Sequence, residues 1–164
     1  MKDLLLLKIS EVITTSKTHQ KRLNDSYGII KSWGKELDKD TYYALTLEQI
    51  AITDQYVYRF AKLQDLMGEK LFKLTLEYVG ENIERLSFIE ILNKLEKLGI
   101  IKSAEVWLKL IEGRNKITHD YAKFIDEVLE DLTDLLSKKD LLIFYFEDIL
   151  AYLSKRGLEI NTIA

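Results

Sequence analysis

Apolar residues recur along this chain at alternating steps of three and four, the period of an α-helix that buries one face. Leu23, Tyr27, Ile30, Gly34 and Leu37 follow that rhythm, so a first helix is expected from Leu4 to about Leu37. Asp38-Lys39-Asp40-Thr41 interrupts it and offers Asp40 or Thr41 as an N-cap. Thr46, with Gln49 at the reciprocal capping position, opens the most regular helix of the chain. Tyr56, Phe60, Leu63, Met67, Leu71, Leu74 and Tyr78 mark its apolar stripe, and Gly80 is placed to stop it.

A second capping box, Ser87-Phe88-Ile89-Glu90, begins a short helix that should end at Gly99. Ser103 caps the next, with Glu105 favouring its positive N-terminal end. That helix carries Val106, Trp107, Leu110 and Ile111; Trp107, set among leucines at helical spacing, is expected in the core or a subunit interface rather than as a stacking platform. Val128, Leu129, Leu132, Leu135 and Leu136 pattern a further helix, Lys138-Lys139-Asp140 interrupts it, and a last apolar segment runs from Leu141 to Leu153 before Gly157. No repeat, linker or low-complexity tract divides residues 1–164, so one domain is expected: an all-α antiparallel bundle of five to six helices.

Composition sharpens that picture. Proline is absent and glycine numbers seven, so little interrupts a helix except deliberate stops. With 47% hydrophobic and 31% charged residues, the chain has the balance of a globular protein built from amphipathic helices. The absence of cysteine excludes disulfides and thiolate metal sites and fits a reducing compartment. A net charge of −3 creates no general attraction to nucleic acid, so any RNA contact has to be local. The apolar runs at Leu4–Leu7 and Leu141–Phe146 are too short for a secretory signal or a membrane span, and the expectation is a soluble, cytoplasmic protein.

Candidate chemistry concentrates in Gly113-Arg114-Asn115-Lys116-Ile117-Thr118-His119-Asp120-Tyr121, which holds one of only two histidines. A permanent cation near a group that titrates close to neutrality is a couple suited to phosphate. Helical geometry limits it: residues five apart point about 140° away from each other, whereas Arg114 and Tyr121, seven apart, share a face. The helix must therefore end or bend between Arg114 and His119, or a second copy must complete the site, or there is no site. Asp65 on the long helix is an acid that could pair with Arg114 and hold its guanidinium. Arg59 and Gln64 beside it read as surface residues. His19, within Lys17-Thr18-His19-Gln20-Lys21-Arg22, reads as a solvent-facing residue of a charged helical turn.

The segment from Trp107 to Tyr121 resembles the signature of the HEPN superfamily of small helical proteins, and in particular its HepT-like branch, the nucleotidyltransferase substrate-binding proteins. That signature is an Arg, four to six residues, then His, and in the branch Arg-Asn, three residues, His, one residue, Tyr. Arg114, Asn115, His119 and Tyr121 match its fixed positions. Tyr58–Asp65 and Gly68–Phe72 are similar to the branch's long second helix, and the likeness spans roughly residues 41–136.

The resemblance implies a homodimeric helical bundle paired with a small MNT-type nucleotidyltransferase as toxin and antitoxin. It implies metal-independent RNA cleavage, without a cofactor, by attack of the RNA's own 2′-hydroxyl. His119 would then be the general acid and base, Arg114 would stabilise the phosphorane, and Asn115 would orient one of these or the phosphate, with Asp65 in support. Tyr121 matches a tyrosine that partner enzymes modify with AMP. Two other readings compete. One is a non-catalytic subunit that presents substrate, or Tyr121, to the nucleotidyltransferase; the acids Glu112 and Asp120 and the sparse lysines (Lys109, Lys116, Lys123) lean that way. The other has Arg114 capping its own helix or pairing with Asp65, with no site at all. No phosphate-binding glycine loop, His-Glu-x-x-His pair or other local metal spacing occurs.

Overall fold

The computed structural model describes residues 1–119 and 124–160. Among the described residues it is all-helical, with no strand. The elements are α1 (Lys2–Ser32), α2 (Lys39–Tyr43), α3 (Leu47–Leu66), a π-helical turn (Met67–Leu71), α4 (Phe72–Tyr78), α5 (Phe88–Lys97), α6 (Ala104–His119), α7 (Ile125–Ser137) and α8 (Lys139–Lys155). α3, the π turn and α4 form one unbroken rod, so the described residues hold six long helices and the single-turn α2.

The start and stop signals in the sequence act largely as expected. Thr46 and Gln49 exchange hydrogen bonds in a complete capping box at the head of α3, and Ser87 and Glu90 do the same at α5. Ser103 Oγ accepts the amide of Val106 at the start of α6. At Gly80 (φ +88°) the amide of Glu81 reaches back to the carbonyl of Leu76, a closure that needs a left-handed residue and so selects glycine. The interruption at Lys138–Asp140 is the α7–α8 junction.

Three expectations need correction. α1 ends at Ser32 rather than near Leu37, because Gly34 takes a left-handed conformation (φ +62°) and turns the chain. The cap of α2 is Asp38, not Asp40 or Thr41: its carboxylate accepts the amide of Thr41, and the Thr41 hydroxyl accepts the amide of Asp38. The stripe of the long helix also changes phase. Beyond Met67 the enclosed side chains are Leu71, Phe72, Thr75 and Leu76, while Leu74 and Tyr78 are only partly covered. The π turn spends one residue more than an α turn, so each later inward position falls about one residue downstream of an unbroken α period.

α1 and α3 run antiparallel along most of their length: Tyr27 meets Tyr56 (ring centroids 6.1 Å apart) and His19 meets Arg59. The core continues through Phe60, Leu63 and Met67 to Trp107, which is fully buried as expected. Its indole lies 4.7 Å from the ring of Phe72 and 5.6 Å from that of Tyr145, tying α6 to α4 and α8. Two buried phenols anchor backbone: Tyr56 donates to the carbonyl of Leu135, and Tyr145 to that of Ser103, each at 2.8 Å.

Candidate functional site

Two rungs join α6 to the long rod. In the first, Trp107 lies against Gly68, where a Cβ would sit 3.7 Å from the indole. Seven residues along α6, on the same face, Arg114 forms the second by donating from Nη2 to the Asp65 carboxylate. Asp65 precedes Gly68 by three residues, so the rungs ascend in opposite chain directions and α3 and α6 are antiparallel here. Asp65 lies just before the π turn and Gly68 within it. Such turns are common beside functional sites because they re-aim side chains without ending the helix.

The Arg114 side chain is 17% exposed and that of Asp65 33%. Arg114 Nη1 also donates to Asn115 Oδ1 at 3.0 Å. Burial lowers the guanidinium's pKa, yet arginine remains a cation under protein conditions. The pair is thus a charge held in one place, and Asp65 screens part of its field.

Asn115 is exposed. α6 is continuous through His119, so the helix does not end between Arg114 and His119, and an α-helical backbone sets the two positions about 140° apart. The side chain of His119 and all of Tyr121 lie outside the described residues.

The surroundings of Arg114 are mixed in charge. Gly113 is enclosed against α7, where Lys138 and Asp134 pair at 2.7 Å. A groove of about 720 Å³ beside α6 and α7 is lined by Asp38, Asp126, Glu130, Asp131 and Asp134, against Lys39, Lys116 and Lys138. On the exposed side of α6, Lys109 pairs with Glu105 and Lys116 with Glu112, each acid one turn earlier. These lysines are balanced where they stand. Among the described residues no three His, Cys, Asp or Glu side chains gather as a metal would require, and no helix is long and apolar enough to cross a membrane.

Two polar residues lie elsewhere than the sequence suggested. Gln64, expected at the surface, is only 2% exposed, because α1, α6 and α8 all pack on α3 and enclose positions flanking its stripe. His19, expected to face solvent, is half-covered, and its Nδ1 lies 2.9 Å from Arg59 Nη1. Since the guanidinium can only donate, Nδ1 accepts and the imidazole proton sits on Nε2. A signal for this was present: His19 falls in the gap between Ser16 and Leu23, on the side of α1 that the buried residues define.

The fold and the Asp65–Arg114 contact define an all-helical protein with a braced arginine on its sixth helix. No family model matches the chain, and no curated protein or solved structure does either.

Proposed function

We propose that this protein is a HEPN-type toxin: a metal-independent endoribonuclease, assembled as a two-fold homodimeric helical bundle and controlled by a partner nucleotidyltransferase. The reading rests on the Arg-Asn-x-x-x-His-x-Tyr signature, and the observation that supports it best is the bracing of Arg114 by Asp65 across α3 and α6. A guanidinium meant to meet a phosphorane gains most when it is oriented beforehand. Because α6 runs unbroken from Arg114 to His119, a single protomer does not present both residues on one helix face. A two-fold axis at α6 gives the natural solution, with each copy supplying an arginine and a histidine to one cleft.

In that cleft the RNA 2′-oxygen bonds to the adjacent phosphorus as its proton passes to a neutral His119 imidazole. The phosphorus–5′-oxygen bond breaks, and an imidazolium returns a proton to the departing 5′-oxygen. Arg114 stabilises the extra negative charge on the phosphorane, and Asn115 orients the phosphate or the guanidinium. The products are a 2′,3′-cyclic phosphate and a 5′-hydroxyl end. Incubating the purified protein with RNA and EDTA tests this: cleavage is expected, and His119→Ala, still helical by circular dichroism, should lose it. Undiminished cleavage by that variant ends the mechanism.

A second reading is favoured by the acid-lined groove and the locally paired lysines of α6, which make a poor track for RNA phosphates. On it the chain is a substrate-binding subunit of a minimal nucleotidyltransferase, with Tyr121 as an AMP acceptor. A mass gain of one AMP with ATP and the partner enzyme, abolished by Tyr121→Phe, combined with no RNA cleavage by the unmodified protein, would select it.

A further inference from the structure

On a different side of α3 from its α6 contact, a second set of basic groups converges. Arg59 and Lys62 lie one turn apart on α3, and His19 and Arg22 one turn apart on α1, joined through the Arg59 Nη1–His19 Nδ1 contact of 2.9 Å. Arg59 and Asp65, six residues apart, diverge by about 120° around α3, so this set is separate from the Arg114 pair. Its cations are held in place from outside. The Arg59 guanidinium lies 5.1 Å and the Lys62 ammonium 5.6 Å from the centre of the half-exposed Tyr58 ring.

The set lacks counter-charge. Among the described residues no carboxylate comes within ion-pair distance of Arg22, Arg59 or Lys62. The nearby acids are engaged elsewhere: Asp25 with Lys21 at 2.6 Å, and Glu147 with Gln20 at 3.3 Å. Arg59 Nε is enclosed and has no acceptor. Burial, then the charges of Arg59, Lys62 and Arg22, lower the pKa of His19, so the imidazole is neutral and offers an Nε2–H rather than a further charge. Three cations and one uncharged donor are a favourable setting for a compact dianion.

We propose that His19, Arg22, Arg59 and Lys62 form an oxyanion site on the α1–α3 face that binds a phosphate dianion, free or as a monoester. A monoester carries close to two negative charges at neutral pH and three strong acceptor oxygens, which suits three cations better than the single charge of a phosphodiester. The group can reach the site as free orthophosphate or at the end of a nucleotide, and these share the contacts described.

Nuclear magnetic resonance of the full chain carrying His119→Gln, in which His19 is the only histidine, tests the proposal. Orthophosphate and uridine 5′-monophosphate are titrated separately at constant ionic strength, with sodium chloride as the reference. A saturable shift of the His19 ring signals with either phosphate is expected, and none with chloride. Tighter binding of the nucleotide would assign the source to nucleotides, and equal binding to the phosphate group itself. Lys62→Gln, an exposed change, should weaken binding about tenfold, the loss of one charge-assisted contact; Arg59→Gln should weaken it further. The proposal is overturned by absence of a saturable shift with both phosphates, or by unchanged affinity in Lys62→Gln and Arg22→Gln together. It is equally overturned if a hydroxyl-ended single-stranded RNA shifts His19 while orthophosphate and the nucleotide both leave it fixed.

Discussion

Asp65 and Arg114, 49 positions apart in the chain, are brought into a partly buried ion pair by the antiparallel packing of α3 on α6. Neither side chain is fully dry, so the pair is intermediate between a surface contact and a buried one. Removing Asp65 leaves a largely covered guanidinium without its carboxylate. Asp65→Ala is therefore expected to lower stability by about 1–3 kcal/mol. A double-mutant cycle with Arg114→Ala, read by urea unfolding, should show a coupling of about 1–2 kcal/mol. Additive single effects would show that the pair contributes nothing.

Trp107 ties three helices together through its contacts with Phe72 and Tyr145. Trp107→Ala should cost about 3–5 kcal/mol, with a matching fall in melting temperature. A loss below 1 kcal/mol would mean that α6 packs without it.

Gly113 presents two opposing effects. A Cβ there would stand 2.9 Å from Lys138 Nζ and 3.3 Å from Asp134 Oδ2. The ammonium ends a flexible chain and can swing aside, giving up a part-buried i, i+4 pair worth about 0.5 kcal/mol. Replacing a mid-helix glycine by alanine returns up to about 1 kcal/mol. Gly113→Ala should thus leave stability unchanged to within about 0.5 kcal/mol. A loss of several times that in thermal unfolding would show that α6 and α7 cannot yield at this point.

The capping box at α5 provides a local test. Ser87 Oγ accepts the amide of Glu90, and the Glu90 carboxylate accepts the amide of Ser87 at 2.7 Å. Ser87→Ala should cost about 1 kcal/mol. The hydrogen bonds from Ser87, backbone first, hold the Glu90 pKa below the usual carboxylate value. In Ser87→Ala the hydroxyl's contribution is lost while the amide at position 87 still donates, so it should rise only part of the way, which a carboxyl-carbon titration would follow.

His19 predicts a pH dependence of stability. Its folded pKa is lowered by burial and then by Arg59, Lys62 and Arg22, whereas in the unfolded chain it returns to about 6.5. Between those two values the unfolded state binds more protons, so stability rises with pH through that window and levels off above it. Urea midpoints across the window should show this slope in the native sequence and a flatter one in His19→Gln. An unchanged slope in the variant would assign the proton uptake to another group.

The capping boxes at Thr46 and Ser87, the glycine stops at Gly80, Gly99 and Gly157, and the burial of Trp107 were all legible in the sequence, because each depends on neighbours within a turn or two. The pairing of Asp65 with Arg114 was also legible as a possibility, since one acid on the long helix stood opposite one arginine. The positions of Arg59 and Gln64 were not. Whether a polar residue beside an apolar stripe meets water depends on how many other helices press on that side, and local periodicity holds no record of it. The change of phase beyond Met67 escaped for a related reason: a π turn looks like ordinary helical sequence, and only the side chains that become enclosed after it reveal the extra residue.

That extra residue makes the long rod behave like a shaft with two keyways cut out of line. Its first half packs on α1, α6 and α8, its second half on α1 and α5 with Phe72 against Trp107, and the offset at Met67–Leu71 lets both halves engage at once. Deleting any one residue of the turn would restore a plain α-helix and swing Phe72 and Leu76 about 100° relative to Asp65. The chain would then have to give up either the packing of α4 on α1, α5 and Trp107 or the seat of its arginine.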